Sequence, residues 1–373
     1  MIEIKADTIA SEDSIDAAFD LFYKNGWTDG LPIIPPTRKR VDAMMSTVDR
    51  APGDCVAQLR PKMGDATIEK LAINAVMAGC LPSYFPVIVA AVEALADPKC
   101  NLYSVNTTTN PATQMLIING PIRNEIDLNC SWGCLGPGWR ANATIGRAIS
   151  LIMLNIAGRI PGEVSKAVIA HPGRYGMCIG EREEESPWEP LHVELGYKAE
   201  ESTVTIVMPS GTHSLEDIHN TTAEPLLQNL AGGMSLSMTL NTYPHFGQAE
   251  TLLIMCPDHA RILAQGGFNK KDIKQYFFDH IRIPFSFFCQ SFLDNMAEVD
   301  RGERVMSYDR QKLIEAGLIQ KDVTQITENG VRHLARPEQL IIVVAGGDGR
   351  LHSAYCPTFG DSYVVTRPIK YKK

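Results

Sequence analysis

Residues 129–147, NCSWGCLGPGWRANATIGR, hold two cysteines, four glycines, a proline and two arginines, and an apolar helical pattern, AISLIMLNIAG, follows at once. A glycine-rich loop that enters a helix is a ready anion site, because unpaired N–H groups and the helix dipole both point at the ligand. Gly136 and Gly138 permit close backbone approach. Arg140 and Arg147 carry the planar forks that grip a carboxylate or phosphate bidentately. Asn142 and Thr144 can cap the helix or donate to a ligand. The pattern is neither the GxxxxGK[ST] nor the GxGxxG fingerprint, so nucleotide binding is not favoured.

Cys130 and Cys134 form a C-x3-C pair that would share one face of a helix. A thiolate beside a helix start has a lowered pKa, which suits nucleophilic or redox work, and Cys134 is the expected thiol. A matching second pair is absent, so a closed zinc site is not expected. Cys80, in MAGCLP, is within reach of the same pocket but reads more simply as packing. Cys55, Cys100, Cys178, Cys256 and Cys289 read as buried small hydrophobes.

Proton-transfer candidates are scattered. Asp29, in GWTDGLP, is either a turn residue or a general base. Asp258–His259 follows a strand end, and His352–Ser353 follows AGGDGRL. Ser353 lacks the GxSxG elbow, and no H-x3-H or HExxH spacing supports a metal site.

These groups need elements to position them. The chain of 373 residues has room for two domains, and its net charge of −8 without a basic run argues against a nucleic-acid partner. No apolar run reaches the roughly 18 residues of a membrane span. The start, MIEIKADTIASEDS, lacks a basic region followed by an apolar core, so a cytoplasmic location is expected. Helical patterns cover 11–25, 37–45, 66–79, 83–96 and 139–158. NLYSVNT and QMLIING read as strands, and the run around Glu183–Glu185 as a solvated loop face. Beyond about 200 come the strand STVTIVM, a helix from Ala223, the strand ETLLIM, helices opening at Pro257 and Asn269, mostly helical polar sequence over 285–335, and the strand QLIIVVAGG.

Three strands, at 115–121, 251–257 and 340–347, are doubly apolar and end in a Pro/Gly break, as expected of strands covered on both faces. Ligands in open α/β sheets sit beyond such carboxyl ends. Asn119, Asp258, His259, Asp348, His352 and Ser353 are therefore expected to converge with the 136–147 loop. The expected fold is α/β, with a mixed or mostly parallel sheet and two interleaved lobes, 1–195 and 196–373, around a cleft at the strand carboxyl ends.

GWTDGLPIIPPT, EKLAINAVMAGCLPSYFPVIVAAVEAL, LGPGWRANATIGRA and ESPWEPLHVE together resemble a family of poorly characterised bacterial proteins, typically encoded beside small UGSC-motif (seleno)proteins. The resemblance implies a role in thiol- or selenol-dependent metabolism of a small molecule, with a small (seleno)protein as partner. It carries most securely onto Gly136, Gly138, Arg140, Asn142 and Thr144. Relatives often hold other residues where this chain has Cys130 and Cys134.

The expected function is that of an enzyme acting on a small anionic, carboxylate-type molecule by thiol-dependent reductive or lyase-type cleavage. Gly136, Gly138, Arg140, Asn142, Thr144 and Asn119 would bind the substrate, with Arg140 as clamp. Cys134 would be the thiol, and Asp29 or His352 would move the proton. The sequence names no cofactor, and a homo-oligomer is expected. Two alternatives stand beside this reading. One is metal-dependent hydrolase or lyase chemistry by Asp258, His259 and a cysteine. The other is a non-catalytic subunit that completes the site of a small redox protein, with Phe285, Phe287 and Phe288 as an exposed interface.

Overall fold

The computed structural model describes residues 7–10, 14–242, 248–300, 326–349 and 352–371. The fold is α/β with mixed sheets. No helix among the described residues is long and apolar enough to cross a membrane. The chain forms two units, one made of 1–181, 190–208 and 364–373, the other of 182–189 and 209–363. A single boundary at 195 is therefore replaced by four crossings. The strand Thr203–Val207 pairs with Met115–Asn119, and Val365–Pro368 with Thr203–Val207, so both return to the first unit.

The sheet of the first unit runs Val365–Pro368, Thr203–Val207, Met115–Asn119, Met177–Gly180. Met115–Asn119 is parallel to Met177–Gly180 and antiparallel to Thr203–Val207. Every residue of Met115–Asn119, Met177–Gly180 and Thr203–Val207 is buried, as the doubly apolar pattern requires. The helix Phe85–Leu95, FPVIVAAVEAL, is apolar nearly all round and packs on Thr203–Val207 and Val365–Pro368. The helix Arg140–Asn155 packs on Met177–Gly180 and on the helix Ile68–Ala78. Gly146 lies where the helix meets the next chain segment: a Cβ there would sit 2.7 Å from the Met177 backbone nitrogen.

The segment 101–107 is the helix Leu102–Thr107 rather than a strand. Its buried residues, Leu102, Val105 and Asn106, fall at spacings of three and four, a helical period that the β-branched and aromatic content of NLYSVNT obscures.

In the second unit the sheet runs Leu340–Val344, Thr251–Met255, His352–Cys356, His213–Glu216, with the first two strands parallel and the other pairings antiparallel. Its core joins Leu253, Met255, Leu340, Ile342 and Tyr355 to Leu226, Leu230 and Met234 of the helix Ala223–Met234 and to Ile273 and Phe277 of the helix Lys270–His280. That last helix begins with a full capping box, Asn269 with Asp272. Of the stretch 285–335, the structure describes the helix Gln290–Asp300 and two short strands, Ile326–Thr327 and Gly330–Arg332, so its described C-terminal part is extended rather than helical. Phe288 stacks on Phe292 in a small core, while Phe287 is exposed.

Candidate functional site

The helix Arg140–Asn155 starts without a side-chain cap: Trp139 occupies the N-cap position and makes no capping bond. Neither Asn142 nor Thr144 takes that role. Thr144 donates its hydroxyl back to the Arg140 carbonyl at 2.7 Å, an ordinary mid-helix back-bond. Asn142 is buried and serves the backbone throughout. Its Oδ1 accepts from the Asn129 N–H at 2.8 Å. Its Nδ2 donates to the carbonyls of Asn129, Cys134 and Cys178 at 2.8, 3.2 and 3.1 Å. One amide therefore fastens both ends of the cysteine loop to the helix and to the Met177–Gly180 strand. That is a folding role.

The two arginines separate cleanly. Arg147 holds Asp29 through Nε at 2.8 Å and Nη2 at 2.8 Å, and Nη2 also donates to the carbonyls of Leu31 and Pro32. Asp29 accepts further hydrogen bonds from the Leu31 N–H and the Thr28 hydroxyl. Burial alone would raise the Asp29 carboxyl, but the Arg147 hydrogen bonds and charge outweigh it and hold it below its ordinary value. A carboxylate so engaged is a poor general base at neutral pH. The pair pins the GWTDGLP loop to the helix, and the proton-transfer role expected of Asp29 conflicts with that ion pair.

Arg140 is exposed, and its Nε donates to the Gly79 carbonyl at 2.9 Å. Gly79, at φ +93°, ends the helix Ile68–Ala78 in the left-handed conformation that favours glycine. Arg140 thus satisfies one carbonyl at that helix end. Among the described residues it makes no ion pair, so the outer edge of its guanidinium faces solvent.

Around it, Cys134, Gly136 and Gly138 take different places. Cys134 is buried at the root of the loop, whereas 135–139 are exposed. Cys80 is buried and its thiol donates to the Thr144 carbonyl at 3.2 Å. Burial pushes that thiol up to about 12, in spite of the nearby Arg140 and Arg147 charges. Cys130 is half-buried, with its sulfur 3.9 Å from Arg123 Nη1. Cys55 and Cys289 are exposed, contrary to the buried reading: Cys55 opens a strand with an exposed end, and Cys289 precedes a surface helix.

Asn119 ends the Met115–Asn119 strand fully buried. Its Nδ2 donates to Glu181 Oε2 at 2.6 Å, and the same oxygen accepts from the Leu191 N–H at 2.8 Å. Arg123, also buried, donates to the Glu181 and Gly120 carbonyls. Sequence reasoning missed Glu181 and Arg123. Glu181 opens the charged run EREEESPWEP, and only its position directly after an apolar strand marks it as internal. Asn119 is thus tied to an internal carboxylate at the strand carboxyl ends.

His352, Asp258, His259, Asp348 and Ser353 belong to the second unit. His352 is exposed, with Nδ1 3.2 Å from the Ser214 hydroxyl. Asp258 and Asp348 both pair with Arg261, at 2.8 and 3.5 Å, and Asp348 pairs with Arg182 at 3.0 Å. Glu185 pairs with Arg261 at 3.0 Å, so the acidic run is partly internal to this network rather than a purely solvated face. His259 Nε2 lies 3.3 Å from the Asp217 carbonyl, which can only accept, so Nε2 carries the proton. Nδ1 then accepts from the Ser353 hydroxyl at 2.9 Å, and Ser353 accepts from the Cys256 N–H at 3.3 Å. All three side chains are buried, and this chain of bonds fixes the start of the helix Pro257–Gln265 to the sheet. Among the described residues no group of three His, Cys, Asp or Glu side chains is arranged to hold a metal ion.

No protein-family model matches the chain, and no curated protein matches it.

Proposed function

We propose that the protein is an enzyme that binds a small carboxylate-type molecule at the head of the helix Arg140–Asn155 and cleaves it in a thiol-dependent reaction, reductive or lyase-type. The observation that carries this reading is the division of labour between the two arginines. Arg147 is engaged through Nε and Nη2 by Asp29 and two carbonyls, whereas Arg140 is exposed and tethered through Nε alone. A guanidinium held from behind, beside an uncapped helix start and the exposed 135–139 loop, suits a carboxylate. Cys134, at the buried root of that loop, is the thiol of this reading. His352 belongs to the second unit, and its expected proton-transfer role is not part of this reading.

Native mass spectrometry of protein purified anaerobically from its own host tests this directly. A bound small molecule or a covalent adduct on a cysteine peptide is expected, and its loss in Arg140→Ala. A bare mass in both proteins counts against the reading.

A second reading has its own support. Trp132, Leu135 and Trp139 are exposed apolar side chains on the same loop, and such patches mark contact surfaces. On this reading the chain is a non-catalytic subunit that completes the site of a small redox protein, consistent with the family resemblance. Co-purification with a small second chain, with no turnover by either alone, would favour it.

A further inference from the structure

The surroundings of Arg140 say more about the ligand than its charge. Large apolar side chains stand exposed on each segment that Arg140 and its helix hold. Trp132, Leu135 and Trp139, exposed by 61%, 41% and 41%, lie on the loop that leads into Arg140. Leu81, 38% exposed, follows Cys80, whose thiol bonds to the Thr144 carbonyl one helical turn after Arg140. Ile34, 44% exposed, contacts the position of Gly79, whose carbonyl Arg140 holds, and donates its N–H to Met77 at the end of the same helix. Exposed apolar residues scattered singly need no explanation, but two indoles and three aliphatic chains on the segments tied to Arg140 and its helix do.

The electrostatics point the same way. In a chain of net charge −8, Arg140 and Arg147 both bear on Cys80 from this face. Asp29 is paired with Arg147, and the Asp127 carboxyl acts together with Arg140 and Cys80 on Tyr84. These segments therefore carry an exposed guanidinium and exposed apolar side chains at once. A small hydroxy or amino acid would leave the indoles in water, and a phosphate ester would bring charge against them. Resting on the carboxylate reading above, we infer that the ligand is an amphipathic acid: one carboxylate on Arg140 and an apolar body of aromatic-ring size lying on Trp139, Leu135 and Trp132. Indole faces favour ring contacts, and each buried ring removes large apolar area from water.

Isothermal titration of the full chain with three probes tests this: 3-phenylpropionate, propionate and 3-phenylpropanol. The first should bind at least tenfold tighter than either of the others. That advantage over propionate should fall at least tenfold in Trp139→Ala and in Trp132→Ala, both surface changes whose folding is checked by melting temperature. Arg140→Gln should reduce phenylpropionate binding to the level of the alcohol. If the two acids bind equally and both depend on Arg140, the apolar body is refuted while the anion site survives. If no acid binds, or if binding ignores Arg140→Gln, the carboxylate reading itself fails. Sedimentation velocity adds the remaining arm: a dimer that Trp139→Asp converts to monomer would assign the apolar face to a second copy and overturn the inference.

Discussion

Arg147 and Asp29, 118 residues apart in sequence, meet through two hydrogen bonds of 2.8 Å with both side chains mostly out of solvent. Removing Arg147 leaves a largely buried carboxylate without its counter-charge. Arg147→Ala is expected to cost about 3 kcal/mol, in line with breaking one partner of a buried pair. Arg140→Ala, at an exposed site with one carbonyl bond, should cost about 1 kcal/mol or less. Thermal melts of the two variants should therefore differ by several degrees while only the Arg140 variant loses ligand affinity. The pH dependence has a definite sign. Asp29 binds its proton less tightly folded than unfolded, so the pair contributes fully above the ordinary carboxyl value of 3.8 and is lost as pH falls through the lower folded value. The Arg147→Ala penalty should shrink below about pH 4.

Asn142 is the second single-residue lock. Asn142→Leu would leave the Asn129 N–H and three carbonyls, of Asn129, Cys134 and Cys178, without this partner. Each buried group left unpaired costs on the order of 1–3 kcal/mol, so a total loss of about 4 kcal/mol is expected after partial relaxation. Asn142→Asp should be no better, since a carboxylate cannot donate to the three carbonyls. Urea denaturation measures the loss, and faster alkylation of Cys134 in the variant would show that the loop has opened. An unchanged denaturation midpoint would refute the lock.

Much of this architecture is legible in sequence, and the failures have physical causes. The capping box at Asn269 and the strands at 115–119, 251–255 and 340–344 follow local rules that survive in the fold. The helix at 102–107 was hidden because only six residues carry its period, too few to override strand-like composition. Two interleaved lobes were expected, but the places where the chain crosses between them were not legible, because they depend on which strands pair, not on what any segment is. In the candidate site, residue types alone could not sort Arg140 from Arg147 or show that Asn142 faces inward. Both facts depend on partners distant in sequence. Glu181 was read with its charged neighbours, although one residue earlier the chain is a buried strand.

Thiol chemistry gives a prediction across the whole chain. Cys289 is exposed, and hydrogen bonds from Ser291 and the Phe292 N–H draw its thiol below the ordinary value. Cys55 is exposed and Cys130 half-buried. Burial pushes Cys80, Cys100 and Cys356 up to about 12, and Cys178 further still. Because the thiolate is the nucleophile, iodoacetamide at pH 8 should label Cys289 first, then Cys55 and Cys130, and leave the buried four intact in native protein. Peptide mass mapping over a time course checks the order. Early modification of Cys80 would contradict its bond to Thr144.

His333 and Asp361, both in the second unit, make an acid-stability prediction in which two effects oppose each other. Burial pushes the His333 imidazole down to about 4, and among the described residues neither ring nitrogen has a hydrogen bond. Between its ordinary 6.5 and 4, the unfolded chain takes a proton that the folded chain refuses, so stability falls as pH drops through that window. Burial pushes the Asp361 carboxyl up to about 7. Between 3.8 and 7 the unfolded chain is ionised and the folded one is not, so here stability falls as pH rises. Each slope is about 1.4 kcal/mol per pH unit, and the windows overlap from 4 to 6.5, where the two cancel. In Asp361→Asn the His333 effect is unopposed, so from pH 6.5 to 4 the variant should lose about 3 kcal/mol relative to wild type. His333→Phe should do the reverse, gaining on wild type over the same range. Urea denaturation of the three proteins at half-unit steps reads both slopes. Parallel curves for Asp361→Asn and wild type would mean that the carboxyl is ionised in the folded chain.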